Sequence, residues 1–321
     1  MAEWRRGSLP RGAALGSLGP LLFALACAPA AAPAGASAAP REDAVALRPG
    51  TARWSDFRGD VVRLVNGERR SRGMRELAVD AEAMRFAQAE AERLVREGVF
   101  SHHAADGSKP YQRWSRAGGT AHVRENLFRL TSSDPRAYML FDPVDAHERL
   151  MSSAGHRAPI LDPWTTALGV GIAYDGFRNS VYVVEEFVAR HMTIGPGDPR
   201  WQPGETRLFR GRILEGRRLE PWMAVLSREP LPRSAAAGRQ AAATSYVEGG
   251  ETVLVLSGRA FEFDPAAGSF ALPVTMPARA SPGPYTLLLY LASADVARAP
   301  TGRRSTSQGV AAVNLAFEVE G

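Results

Sequence analysis

Cysteine, lysine and long apolar runs are what this chain has least of. Its 321 residues include one cysteine, Cys27, so no disulfide can form within the chain. Lysine also occurs once, at Lys109, and arginine supplies the rest of the 39 basic residues. Against 34 acidic residues these leave a formal charge of +5. The charge falls to +3 once residues 1 to 26, with Arg5, Arg6, Arg11 and Glu3, are set aside, a balance that does not argue for nucleic acid as a partner. Several catalytic and ligand-binding patterns are absent as well. His147-Glu148 is followed by Arg-Leu-Met, so there is no HExxH; nor is there a GxSxG, a Walker loop, a strand-linked GxGxxG or a set of cysteine ligands for zinc. The common metalloprotease, α/β-hydrolase, nucleotide-binding and zinc-finger classes lose their support with them.

What is present begins with an export-type start. Arg5, Arg6 and Arg11 precede the apolar run Leu18 to Ala26 and a tract of small residues, the order of a signal segment, and the run is too short to span a bilayer as a mature helix. Cys27 ends that run in "ALAC", similar to a lipoprotein cleavage box although Ala24 stands where Leu is preferred. Two outcomes stay open: lipidation at Cys27, or ordinary cleavage near Ala30 to Ala39. Either places the mature protein outside the cytoplasm, secreted, periplasmic or lipid-anchored, with membrane contact only through the anchor. The expected divisions are an export signal over 1–27, an Ala/Pro-rich linker over 28–51, a first domain over 52–192 and a second over 198–321.

The first domain has helical periodicity. Phe57, Val61, Leu64 and Val65 form one stripe with Ser55 as an N-cap; Met84, Ala87, Ala91, Leu94 and Val95 form another, from a cap at Asp80 to a stop at Gly98. A short helix follows Pro110, and "DAHERLMSSAG" predicts another ending at Gly155. The period then changes to two β-rich runs around "DGFRN", a hairpin signal. From about Thr193, seven short apolar or alternating runs separated by Gly/Pro-rich turns predict an all-β sandwich of immunoglobulin-like type, with Pro232 to Ser245 as a loose loop. Tyr285, after Gly283-Pro284, reads as a corner residue closing it. The fold class expected is therefore α+β, an α-β-α domain followed by a β-sandwich.

Four short words run in order through the first domain: "NGERRSRGMREL" at 66–77, "FSHHAADG" at 100–107, "RENLF" at 124–128 and "SSAGHRAPIL" at 152–161, followed by Gly169-Val170-Gly171 and Phe187. Taken singly they are bland: His102 could cap a helix C-terminus, Glu125 could be a solvated carboxylate and His156 a helix-end residue. Together they resemble the bacterial, SCP-like extracellular branch of the CAP superfamily, named for cysteine-rich secretory proteins, antigen 5 and pathogenesis-related 1. Asn66, Arg69, Gly73 and Leu77 match the first word of that pattern, Phe100, Ser101, His102, Asp106 and Gly107 the second, Glu125-Asn126 the third, and Ser153, Gly155, His156, Arg157, Ile160 and Leu161 the fourth. Leu150, Ala154 and Arg124 depart from it, replacing Trp, Pro and Gly. Arg124 is expected to neutralise Glu125 or alter access to it.

The resemblance implies a CAP-type α-β-α sandwich over roughly 55 to 190, with His102, Glu125 and His156 in a central cleft and His103 as an exposed neighbour. It also implies that these three could hold zinc or another divalent ion, since imidazole and carboxylate suit Zn²⁺. Asn126 and Arg113 are expected to fix loops. The functional expectation is a binding protein of the bacterial envelope or exterior, taking a small apolar or envelope-derived ligand or an envelope or host protein partner. Two alternatives remain: a metal-assisted hydrolase using the same cleft, with Glu125 as base or Ser101 or Ser153 paired with His102, and an adhesive surface protein acting through the β-sandwich.

Overall fold

The computed structural model describes residues 52–133, 141–214, 219–230, 246, 248–298 and 309–321, with side chains from Phe57 onward. The export signal, Cys27, the linker and the loop Pro232 to Ser245 lie outside the described residues.

The first domain is built around a four-stranded sheet in the order β1 (Ala78–Val79), β3 (Ala167–Asp175), β4 (Ser180–Ala189), β2 (His122–Thr131). β3 and β4 are the expected hairpin, and β2 lies antiparallel on the far side of β4. Alternate residues of each strand face opposite layers. Leu168, Val170, Ile172, Val181, Val183 and Phe187 pack under α1 (Ala52–Ser71) and α4 (Pro143–Ser152). Ala173, Tyr182 and Val184 pack under α2 (Ala81–Glu97), and Val123, Ala167 and Val188 join Trp114 of α3 (Pro110–Arg116) in the same layer. This is the α-β-α sandwich expected.

The caps of α2 are as expected. Asp80 accepts hydrogen bonds from the N–H groups of Glu82 and Ala83 at 3.0 and 2.9 Å, and Gly98 takes the left-handed conformation at φ 64°. Two other boundaries differ. α1 begins at Ala52, ahead of Ser55, so Ser55 is no N-cap. The segment expected to stop at Gly155 instead restarts after Ser153 as α5 (Ala154–Ile160). His156 therefore stands in the first turn of a helix and not at the end of one.

The opening word is a clasp. The Asn66 side-chain amide both donates to the Leu77 carbonyl (3.0 Å) and accepts from its N–H (2.8 Å). Fully buried Arg69 donates to the carbonyls of Arg75, Ile160 and Asp162 at 2.8 to 2.9 Å, tying the end of α1 to the end of α5. Leu150, in the place of the family's Trp, is buried in the same layer.

All seven runs expected in the second domain are strands: β7 (Thr206–Ile213), β8 (Leu219–Arg228), β9 (Glu251–Ser257), β10 (Glu262–Asp264), β11 (Ser269–Thr275), β12 (Gly283–Ser293) and β13 (Val310–Val319). Short strands β5 (Met192–Ile194) and β6 (Arg200–Trp201) add to them, so the sandwich begins ahead of the expected residue 198. Sheets β10-β11-β7-β5 and β6-β13-β12-β8-β9 enclose a core that includes Trp201, Phe209, Leu272, Leu287, Leu315 and Phe317. Tyr285 does close a corner, donating its hydroxyl to the Ser281 carbonyl at 3.0 Å.

The two sandwiches belong to one compact unit. β2 is an edge strand whose outward N–H groups need partners, and the second domain supplies two of them. Val123 N–H donates to Asn314 Oδ1 (3.3 Å) and Glu125 N–H to the Tyr246 hydroxyl oxygen (3.2 Å), while Ala121 bridges to Val313. Beside them the Lys109 ammonium, largely buried, donates to Glu229 Oε2 and to the Gly249 carbonyl, both at 2.9 Å.

Gly169 and Gly171 let α2 approach the sheet. A Cβ at Gly171 would lie 2.0 Å from the Ala87 carbonyl oxygen, which is backbone and cannot rotate away. Gly171→Ala is therefore expected to lower unfolding free energy by about 3 kcal/mol, read by urea denaturation; a loss under about 1 kcal/mol would show that the helix can lift without cost.

Candidate functional site

The second word folds into a compact loop between α2 and α3. Asp106 accepts from the Ser108 N–H (2.8 Å) and hydroxyl (2.6 Å), and Gly107 takes φ 82°, a conformation that favours glycine. The Arg113 guanidinium reaches back from α3 to the carbonyls of His102 and Ser108. These contacts hold His102 against β2, where its Nδ1 meets Glu125 Oε1 at 2.7 Å. The Glu125 side chain is fully buried, not a solvated carboxylate. His102 Nε2 is left without a protein hydrogen bond among the described residues.

A group of charges surrounds this pair. Glu90, from the buried face of α2, accepts from Arg113 Nε and Nη2 at 2.9 and 2.6 Å and from Arg93 Nε at 2.8 Å. Burial opposes ionisation of Glu90, but the two guanidinium groups prevail and hold it below the usual carboxylate range. Burial likewise opposes the Arg113 charge, and Glu90 and Glu125 outweigh it. Arg113 Nη2 is 3.9 Å from Glu125 Oε2.

Glu186 lies directly opposite Glu125 across β2 and β4, fully buried, with neither carboxyl oxygen hydrogen-bonded. Burial first, then the Glu125 and Glu90 carboxylates, push its pKa well above the ordinary value.

His156 approaches from α5. Burial and the nearby His102 imidazole lower its pKa. Its backbone carbonyl accepts from Asn126 Nδ2 at 2.9 Å, and the same amide donates to Glu185 Oε2 at 3.1 Å. Arg113 thus fixes a loop, as expected, whereas Asn126 ties the first turn of α5 to β4. Arg124 does not neutralise Glu125: neighbouring strand residues face opposite ways, and Arg124 pairs with Asp162. His103 is half-buried rather than exposed, its Nδ1 has no partner, and burial, then Lys109, lower its pKa. His147 is buried under the other layer, with its pKa lowered by burial, and Glu148 is exposed.

His102, Glu125 and His156 do not make a metal centre as arranged. Among the described residues no three His, Cys, Asp or Glu side chains are grouped so as to hold an ion. Glu125 spends Oε1 on His102 and faces a guanidinium with Oε2, which suits a carboxylate that orients an imidazole better than one that binds a dication.

Four participants were not legible as such in the sequence: Glu90, Glu186, Tyr246 and Lys109. Glu90 and Glu186 carried a signal, each a charge set in an otherwise apolar helix face or strand. The Tyr246 ring is 5.2 Å from the His102 ring, edge to face, and 6.1 Å from Tyr111, and nothing in a remote segment announced that placement.

The α-β-α sandwich, with four ordered words that clasp its helices and seat a histidine on a strand glutamate, is the arrangement that the resemblance to the CAP superfamily implied. Residues 62–187, about two-fifths of the chain, match the family model described as CAP, the cysteine-rich secretory protein family. The chain is 26% identical over 122 residues to the uncharacterized protein YkwD of Bacillus subtilis (strain 168), a match covering 38% of this chain and 44% of the relative. The chain thus spans less than half of that relative's length. Similar solved structures include an extracellular protein containing a SCP domain from Bacillus anthracis str. Ames (21% identity, TM-score 0.36, 44% of this chain and 45% of that one). An outer surface protein from Borrelia burgdorferi is another (16% identity, TM-score 0.37, 42% of this chain and 93% of that one).

Glu185 provides a pH test of the buried charges. Burial raises its pKa to about 7 from 4.5, so between those values the folded state holds a proton that the unfolded state releases. Stability from this group is full below pH 4.5 and falls as pH rises toward 7. Glu185→Gln, which keeps the oxygen that Asn126 needs, is expected to gain on the wild type across that window by on the order of 3 kcal/mol at pH 8. Urea unfolding at several pH values measures the difference; a constant difference with pH would contradict it.

Proposed function

We propose that this chain is an exported binding protein of the bacterial envelope or exterior, and that its CAP cleft takes a small envelope-derived ligand or a partner segment at His102 and His156. The observation that carries this reading is the His102–Glu125 pair. A buried carboxylate fixes the ring through Nδ1, which leaves Nε2 to meet a ligand, and the half-buried His156 ring, without a protein hydrogen bond among the described residues, stands near it. Oriented, unspent polar groups beside aromatic rings are what a small-ligand site needs. The basic and apolar N-terminal segment supports export.

The hydrolytic alternative has less behind it. The Ser101 hydroxyl oxygen accepts the His103 N–H at 3.0 Å, and Glu125 is committed to His102. Adhesion through the β-sandwich alone fits poorly with a sandwich joined to the cleft by Lys109 and Tyr246.

Thermal shift with fractionated envelope extract tests the reading in the wild type and in a His102→Ala/His156→Ala variant. A fraction that raises the wild-type Tm is expected to leave the double variant unmoved. Equal rises in both proteins would reject the cleft as the ligand site.

A further inference from the structure

Among the described residues, Tyr246 brings the second domain to His102. Tyr246 packs on the layer formed by Tyr111, Trp114, Ala121 and Val123, sets its ring edge to face with His102, and accepts the Glu125 N–H with its hydroxyl oxygen. Burial first, then the Glu248 and Glu125 carboxylates, raise its pKa well above the ordinary value, so the phenol stays neutral. The residues after it are latched to the first domain. Glu248 pairs with His122 Nε2 at 2.8 and 2.9 Å, and Gly249 donates its N–H to the Tyr111 hydroxyl oxygen at 3.0 Å.

We propose that Tyr246 is a tethered occupant of the cleft, and that the external ligand replacing it carries a hydroxyphenyl ring. The inference rests on the reading of this cleft as the ligand site. Two rings and one backbone donor meet the ring position. His102 meets it edge to face and Tyr111 lies tilted to it at 6.1 Å, aromatic neighbours that favour an offset or edge-on ring. The Glu125 N–H offers one donor at the hydroxyl, an edge-strand donor that would otherwise be buried without a partner. A small phenol and a tyrosyl side chain on a partner peptide share this chemistry. Because Tyr246 is attached to the chain, it competes at a high effective concentration. The ligand therefore binds the wild type weakly unless the latch at Glu248 and Gly249 is released.

Removing the occupant tests the proposal. Tyr246→Ala is expected to bind p-cresol at least about tenfold more tightly than the wild type, since no tethered ring competes. It should prefer p-cresol over toluene by about fivefold, the value of one hydrogen bond, with N-acetyltyrosine amide as the peptide arm. Binding by p-cresol alone assigns a small phenol; binding by both assigns the shared ring. A folded Tyr246→Ala that ignores both probes, or a wild type that binds them equally well, overturns the proposal.

Carbethoxylation of His102, read by mass spectrometry, separates the two levels of the argument. Opened His102 with no probe binding rejects the ring class and leaves the cleft standing. His102 still shielded in Tyr246→Ala rejects both. If Tyr246→Ala fails to fold, Tyr246→Phe keeps the ring and loses the oxygen. Hydrogen exchange at the Glu125 amide is then expected to quicken by about fivefold, while the Val123 amide, held by Asn314, keeps its rate. Unchanged exchange at Glu125 overturns the proposal.

Discussion

A carboxylate taken out of water must find a cation, a donor or a proton, and this constraint governs the structure from the cleft to the domain join. Glu90 finds Arg93 and Arg113, Glu125 finds His102, Glu229 finds Lys109, and Glu248 finds His122. Glu186 faces Glu125 across the strands, and burial with that carboxylate drives its pKa upward, toward the protonated form. Each solution fixes something else. Holding Glu90 places Arg113, Arg113 places the loop carrying His102, and His102 with Glu125 defines the cleft.

The same constraint makes the two sandwiches one unit. The sole lysine of the chain sits largely buried at the start of α3, and Glu229, from the end of β8, neutralises it while also accepting from Tyr111 at 2.7 Å. The open edge of β2 is completed by Asn314 and Tyr246. A CAP domain that ended at residue 192 would leave those donors and that ammonium without their partners, so the β-sandwich is part of the cleft's architecture and not an appended module.

Much of the local structure was legible. The Asp80 cap, the Gly98 stop, the β3–β4 hairpin and all seven β-runs of the second domain follow from short-range pattern, because capping, turn chemistry and alternation act within a few residues. The cleft pair His102 and Glu125 followed from resemblance, since its spacing alone had a bland reading. What escaped was non-local. The restart of the chain as α5 depends on Arg69 reaching the carbonyls of Ile160 and Asp162, and the direction of Arg124 depends on Asp162. Tyr246 and Lys109 have no local signature, because their roles exist only where two domains meet. That Glu125 meets His102 and is flanked by Arg113 was likewise not legible in the imidazoles and carboxylate from which a metal was expected.

The central claim, that the CAP domain and the β-sandwich form one cooperative structure sharing the cleft, is tested most directly by calorimetric unfolding of the full chain. One transition with equal calorimetric and van't Hoff enthalpies is expected. Two separable transitions, with the CAP domain melting independently of the sandwich, would contradict it.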